Sequence, residues 1–214
     1  MKLRTIIITT MATALPIVYG VIFYNQLPAR MAIHFGLSGQ ANGWSNKFSA
    51  VIGIPLLLAV FQLIMVLSMK FNLKQQSQSP KVTLIILWLI PLISNVISVV
   101  IISKALGQNF PILPVISVML GVIFIGLGNY LPKTAPNYLI GFRIPTTFSN
   151  PENWQKTNRL GGLMMVMSGV LVTLAGIIGF WITSVPTIAL IIAMVLIVIV
   201  PLIYSLKLAS NAKN

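Results

Sequence analysis

Apolar residues run through this chain in six stretches, each close to the length of about 20 residues that carries a helix across a bilayer, and polar residues collect between them. The stretches extend from Thr5 to Tyr24, Ala50 to Met69, Val82 to Ser103, Pro111 to Gly128, Gly161 to Phe180 and Val185 to Leu206. Backbone in lipid has to satisfy its own hydrogen bonds, so the pattern predicts an all-α, polytopic integral membrane protein with six transmembrane helices. Lys2, Arg4 and the Ala12-Thr13-Ala14 triplet resemble a cleaved signal peptide, but the apolar run continues to Tyr24 and reads as a retained first span. Two connections are long enough to carry structure of their own. Residues 1–80 then form an N-terminal helical hairpin around the loop 25–49, and residues 81–214 a four-helix membrane region around the loop 128–162.

Composition agrees with the pattern: 57% of the residues are hydrophobic and only 7% charged, which excludes an ordinary soluble domain. Cysteine is absent, so disulfides and thiolate chemistry are excluded as well. The net charge of +13 does not point to nucleic acid, because no basic patch with interleaved aromatics sits on a soluble domain. Basic residues beside apolar spans act instead as topology signals and as contacts for anionic lipids. With the N-terminus inside, the inner segments hold Lys2, Arg4, Lys70, Lys74, Lys81, Lys133, Arg143, Lys156, Arg159, Lys207 and Lys213, and the outer ones only Arg30, Lys47 and Lys104. The positive-inside rule therefore predicts both termini in the cytoplasm (N-in/C-in), loop 25–49 outside and loop 128–162 inside.

Within the spans, Gly162, Gly169 and Gly176 recur every seven residues, with Thr173 four beyond Gly169, a small-residue stripe suited to close helix packing. Pro16, Pro55, Pro91 and Pro201 are candidate kinks. Gln62 and Asn95 fit either hydrogen bonds between helices or a polar substrate path. No acid, base or histidine lies deep in a span, which argues against a proton-coupled pump. One His, one Glu and no Asp or Cys cannot assemble a catalytic triad, a carboxylate pair or a three-ligand metal site. The expectation is a protein without catalytic residues, metal or cofactor.

The loop 25–49 contains LPARMAIHFGLSGQANGWSNKF from Leu27 to Phe48. Asn42-Gly43 suits a tight turn with positive backbone dihedrals, and Trp44 after it suits the membrane surface. His34 is either a pH-sensitive contact or a structural or merely exposed histidine. The loop 128–162 holds the chain's only acid, Glu152, among prolines and asparagines that favour turns. Ser149-Asn150-Pro151-Glu152 reads as a helix start, and Arg143 is a candidate partner for Glu152. This block fits plain architecture or the docking of a partner.

Both loops resemble the SdpI family of bacterial immunity proteins. The first resembles the family's small N-terminal domain of unknown function at Leu27, Pro28, His34, Phe35, Gly39, Gly43 and Trp44, with Ala32 in place of a proline and Asn42 in place of an aspartate. The second matches its signature at Gly128, Asn129, Pro132, Lys133, Pro136, Asn137, Gly141, Arg143, Pro145, Thr147, Trp154, Thr157, Arg159, Gly161 and Gly162. Ile144, Thr146 and Asn158 stand where the family has Thr, Trp and His. The resemblance implies a multi-pass protein of the bacterial cell membrane that protects against a secreted membrane-active peptide toxin. It also implies a second role, holding a cytoplasmic winged-helix repressor at the membrane. His34, Phe35, Gly39, Gly43 and Trp44 are then candidate toxin contacts, and Asn129, Pro132, Lys133, Pro136, Asn137, Gly141, Arg143, Pro145, Trp154 and Arg159 a cytoplasmic signature that carries a change of state inward. The alternative is a small transporter or channel, for which no internal repeat is visible.

Overall fold

The computed structural model of the chain describes residues 3–71, 80–137 and 140–211. Lys2, Lys74 and Lys213 of the charge count lie outside them, as do Tyr138 and Leu139 of the second loop. Six helices are long and apolar enough to cross a membrane. The first is in two pieces, α1 (Leu3–Ala14) and α2 (Pro16–Ile22), broken where Pro16 has no N–H to offer the ladder. The second starts with a π-helical turn, Ser49–Gly53, and continues as α3 (Ile54–Phe71); the wider turn relieves the clash of the Pro55 ring with the preceding backbone. Next come α4 (Pro80–Ala105) and α5 (Ile112–Tyr130), then the short α6 (Pro145–Phe148), α7 (Pro151–Ile178) and α8 (Val185–Asn211).

Two boundaries depart from the hydropathy windows in an informative way. Helix α7 starts at Pro151 rather than near Gly161, and at 28 residues is about 42 Å long, against about 30 Å for a hydrocarbon core. About two turns at its start therefore extend past the apolar layer. The loop 25–49 is not irregular: it contains strands β1 (Arg30–Phe35) and β2 (Ala41–Asn46), paired antiparallel.

Contacts divide the chain into two compact units, Met1–Phe71 with Ile86–Ile116, and Asn72–Ile85 with Ser117–Asn214. In the first unit, polar side chains join α1, α3 and α4. Gln62, fully buried, donates to Thr9 Oγ1 at 3.1 Å and to the Leu87 carbonyl at 3.0 Å. Ser94 donates to the Thr13 carbonyl at 2.8 Å, and Asn95 to the Ala12 and Pro91 carbonyls, each at 2.8 Å. In lipid, where apolar side chains gain little by leaving their solvent, such bonds and close packing hold helices together. Gln62 and Asn95 are thus engaged in bonds between helices.

In the second unit, α5 and α7 run antiparallel with glycine facing glycine. A Cβ on Gly128 would lie 2.7 Å from the Gly162 carbonyl, and one on Gly169 2.7 Å from the Gly121 carbonyl. The stripe read at Gly162 and Gly169 therefore has a partner stripe at Gly121 and Gly128, also seven apart. Along α7 and α8 the contact is made by Val172, Ala175, Ala189 and Ala193.

Candidate functional site

In the first unit the hairpin is built onto the helix ends. Leu27 and Met31 are buried with Ala50, Val51, Ile101 and Ile102, and Ile33 packs on the same cluster. Lys47 ties the base: its ammonium donates to the carbonyls of Tyr24 (3.1 Å) and Leu27 (3.4 Å) and lies 4.3 Å above the Tyr24 ring. The Tyr24 carbonyl also accepts from the Leu27 amide at 3.3 Å, so Lys47 adds a second bond at the end of the first span. Asn46 Oδ1 accepts from the Ser49 amide at 2.8 Å and caps the start of the second span.

The turn differs from the sequence expectation. It lies at Gly36–Gln40, where Gly36 N donates to the Gln40 carbonyl and Gly39 carries φ of 76°. Asn42 and Gly43 are in β2, and Gly43 has no positive φ. What position 43 needs is the lack of a side chain, because a Cβ there would lie 2.9 Å from His34 Cβ across the ladder. His34 Nδ1 pairs with the Asn42 side-chain oxygen. Of the five hairpin residues singled out by sequence, His34 and Gly43 are brought into contact, Gly39 makes the turn, and Phe35 is half-buried. Trp44, opposite Ala32, is 52% exposed, with Leu37 and Phe48 similarly open.

In the second unit the signature segment folds back onto the first turns of α7. Asn150 caps that helix, accepting from the amides of Glu152 (2.8 Å) and Asn153 (3.3 Å), with Pro151 in the first turn. Trp154, 1% exposed, donates from Nε1 to the Thr134 carbonyl at 2.9 Å and packs 5.6 Å from the Phe148 ring. Its indole leaves no room for a side chain at Gly141, where a Cβ would be 2.8 Å away and φ is 128°. Asn158 accepts from the Phe142 amide at 2.9 Å and donates to the Trp154 carbonyl at 2.9 Å. Asn137, fully buried, closes its own turn through Ala135 and Ile140.

Beside this lies a polar knot that the sequence reading missed. Asn153 donates to the Ser205 carbonyl at 3.0 Å, and its Oδ1 accepts from Thr157 Oγ1 and Ser205 Oγ, each at 2.8 Å. Thr146 Oγ1 and Ser205 Oγ are 2.7 Å apart. The available signal was Asn153 and Thr157 four apart on one helical face, with a lone serine near the end of the last span. Glu152 pairs with Lys156 at 2.6 Å, one helical turn away, and not with Arg143; the i,i+4 spacing already places the two side chains together.

The remaining signature residues serve different ends. Pro132 packs on Gly162, and Lys133 lies 5.2 Å from the Tyr130 ring. Asn129, Lys133, Pro136, Arg143, Pro145 and Arg159 are exposed. Among the described residues no three His, Cys, Asp or Glu side chains come together as a metal site would need.

Six bilayer-length helices define a multi-pass membrane protein. Residues 133–205 match the SdpI/YfhL protein family, and residues 11–59 match a domain of unknown function, DUF1648. The immunity protein SdpI of Bacillus subtilis (strain 168) is 27% identical over 178 residues, covering 78% of each chain. No solved structure matches the chain. Together these matches support placing the chain with the SdpI family.

Proposed function

We propose that this chain is a membrane immunity protein that protects its cell against a secreted, membrane-active peptide, and that the hairpin is where the peptide is met. The observation behind this reading is a hairpin that keeps Leu37, Trp44 and Phe48 exposed while Leu27, Met31 and Lys47 fix it to the helix ends. Exposed apolar side chains on a pre-formed support bind without a large ordering cost. The similarity to an immunity protein supports the role. In this reading both termini are cytoplasmic and the hairpin is external, the orientation that the distribution of basic residues favours.

The signature segment then faces the cytoplasm. Exposed Lys133, Arg143 and Arg159 offer contacts to anionic lipid headgroups, and the same surface would receive a winged-helix repressor in the second role. The reading assigns the chain binding and no catalysis. The test is survival of a toxin-sensitive bacterium expressing the chain, challenged with a panel of secreted peptide toxins. Protection against at least one peptide at wild-type membrane abundance is expected. Protection against none, with solute flux into proteoliposomes, would replace immunity by transport.

A further inference from the structure

The hairpin is a sheet of two strands, and no third strand pairs with it among the described residues. Its hydrogen bonds show which backbone groups face outward. The Lys47 amide donates to the Ala29 carbonyl at 3.0 Å, while Arg30 is opposite Asn46 and Ala32 opposite Trp44. In an antiparallel ladder this makes Arg30–Asn46 and Ala32–Trp44 the non-hydrogen-bonded pairs. The N–H and C=O of Trp44 and the N–H of Asn46 therefore point away from β1.

The two edges are not equivalent. The β1 edge follows Pro28, carries Arg30 and loses regular register between Ala32 and Phe35, features that discourage pairing. Over Trp44–Asn46, β2 has neither proline, charge nor register shift. It also presents the exposed Trp44 side chain, with exposed Phe48 just beyond.

Charge narrows what fits. The chain's single acid, Glu152, is on α7 and held by Lys156, so the whole first unit has no carboxylate side chain. Arg30, directly across from Asn46, is exposed, and the Lys47 ammonium is at the hairpin base. A cationic segment finds no counter-charge here, whereas an anionic one meets Arg30 and Lys47 on the same hairpin, and charges in 0.1 M salt act over a screening length of about 10 Å.

We propose that the outward edge of β2 at Trp44–Asn46 takes up an extended, anionic apolar peptide segment as a third strand. The added backbone bonds to Trp44 and Asn46, and its alternate side chains lie against Trp44 and Phe48. The inference rests on the hairpin being the peptide site and adds how the peptide is held and what charge it carries.

The test uses the full chain in zwitterionic nanodiscs and three end-blocked octapeptides: alternating Val-Glu, alternating Val-Lys, and Val-Glu N-methylated at every residue. Amide hydrogen exchange is read residue by residue. The Val-Glu peptide is expected to slow exchange at Trp44 and Asn46 by at least roughly tenfold, leaving the already bonded Ser45 unchanged, and the other two peptides to slow neither. No slowing with Val-Glu, or equal slowing with Val-Lys or with the N-methylated peptide, overturns strand addition. Because the readout is independent of survival, a chain that protects cells without this exchange pattern keeps the immunity role and loses only the strand.

Discussion

Replacing Trp154 by phenylalanine isolates what holds the signature segment to α7. Phenylalanine keeps an aromatic ring near Gly141 but removes the N–H that reaches the buried Thr134 carbonyl at 2.9 Å. An orphaned buried carbonyl costs about 1–3 kcal/mol. The smaller ring also leaves part of the Trp154 site empty, which adds about 1–2 kcal/mol if the surroundings collapse only partly. Local opening of the segment should therefore become easier by about 2–5 kcal/mol, and at about 1.4 kcal/mol per decade the open population rises by two orders of magnitude near the middle of that range. The chain has no cysteine, so one introduced thiol reports without background. Leu131→Cys, at a buried position just before Thr134, serves as reporter in both backgrounds. Maleimide labelling of that thiol in detergent micelles should run roughly 100-fold faster with Trp154→Phe than without. Equal rates would mean that the indole N–H bond does not secure the segment, and the lock inferred from Trp154, Gly141 and Asn158 would have to be abandoned.

Other substitutions probe the remaining contacts. Gly169→Leu forces a side chain against the α5 backbone and should lower the thermal midpoint in micelles by the equivalent of about 1–3 kcal/mol or more; an unchanged midpoint would contradict the glycine-on-glycine contact. Gln62→Leu removes the bonds to Thr9 and Leu87 and should cost roughly 0.6–1.7 kcal/mol in the same melt, the range for hydrogen bonds between membrane helices. Glu152→Gln breaks an exposed ion pair and should leave the midpoint where it is, so a marked drop would show Glu152 engaged elsewhere. Ala32→Pro should be tolerated, with a midpoint change within about 1 kcal/mol, because the Ala32 N–H faces away from β2; collapse of the hairpin, seen as fast exchange at Ser45, would refute that register.

Hydropathy made the six spans legible because a bilayer fixes both the length and the composition of what crosses it. The start of α7 was legible for another reason: Asn150, Pro151 and Glu152 are local capping signals. The hairpin was not. Its inward residues, Met31 and Ile33, are too few to set a period of two against the register shifts beside His34, and Asn42-Gly43 carries turn chemistry that the ladder uses for clearance. Likewise Gly162 and Gly169 announced a close contact without naming Gly121 and Gly128 as its other half. The knot of Asn153, Thr157, Ser205 and Thr146 joins residues about fifty apart in sequence, and the Asn153–Thr157 spacing marks a polar face without naming Ser205 as its partner.

Protection through the hairpin is the central claim, and one comparison tests it most directly. A toxin-sensitive strain is given the wild-type chain or the Trp44→Ala, Phe48→Ala double variant at matched membrane abundance, both residues being exposed, and each culture is challenged with a peptide against which the wild type protects. The double variant is expected to lose protection while its thermal midpoint stays close to that of the wild type. Full protection by the double variant would contradict the claim and take the hairpin out of toxin recognition.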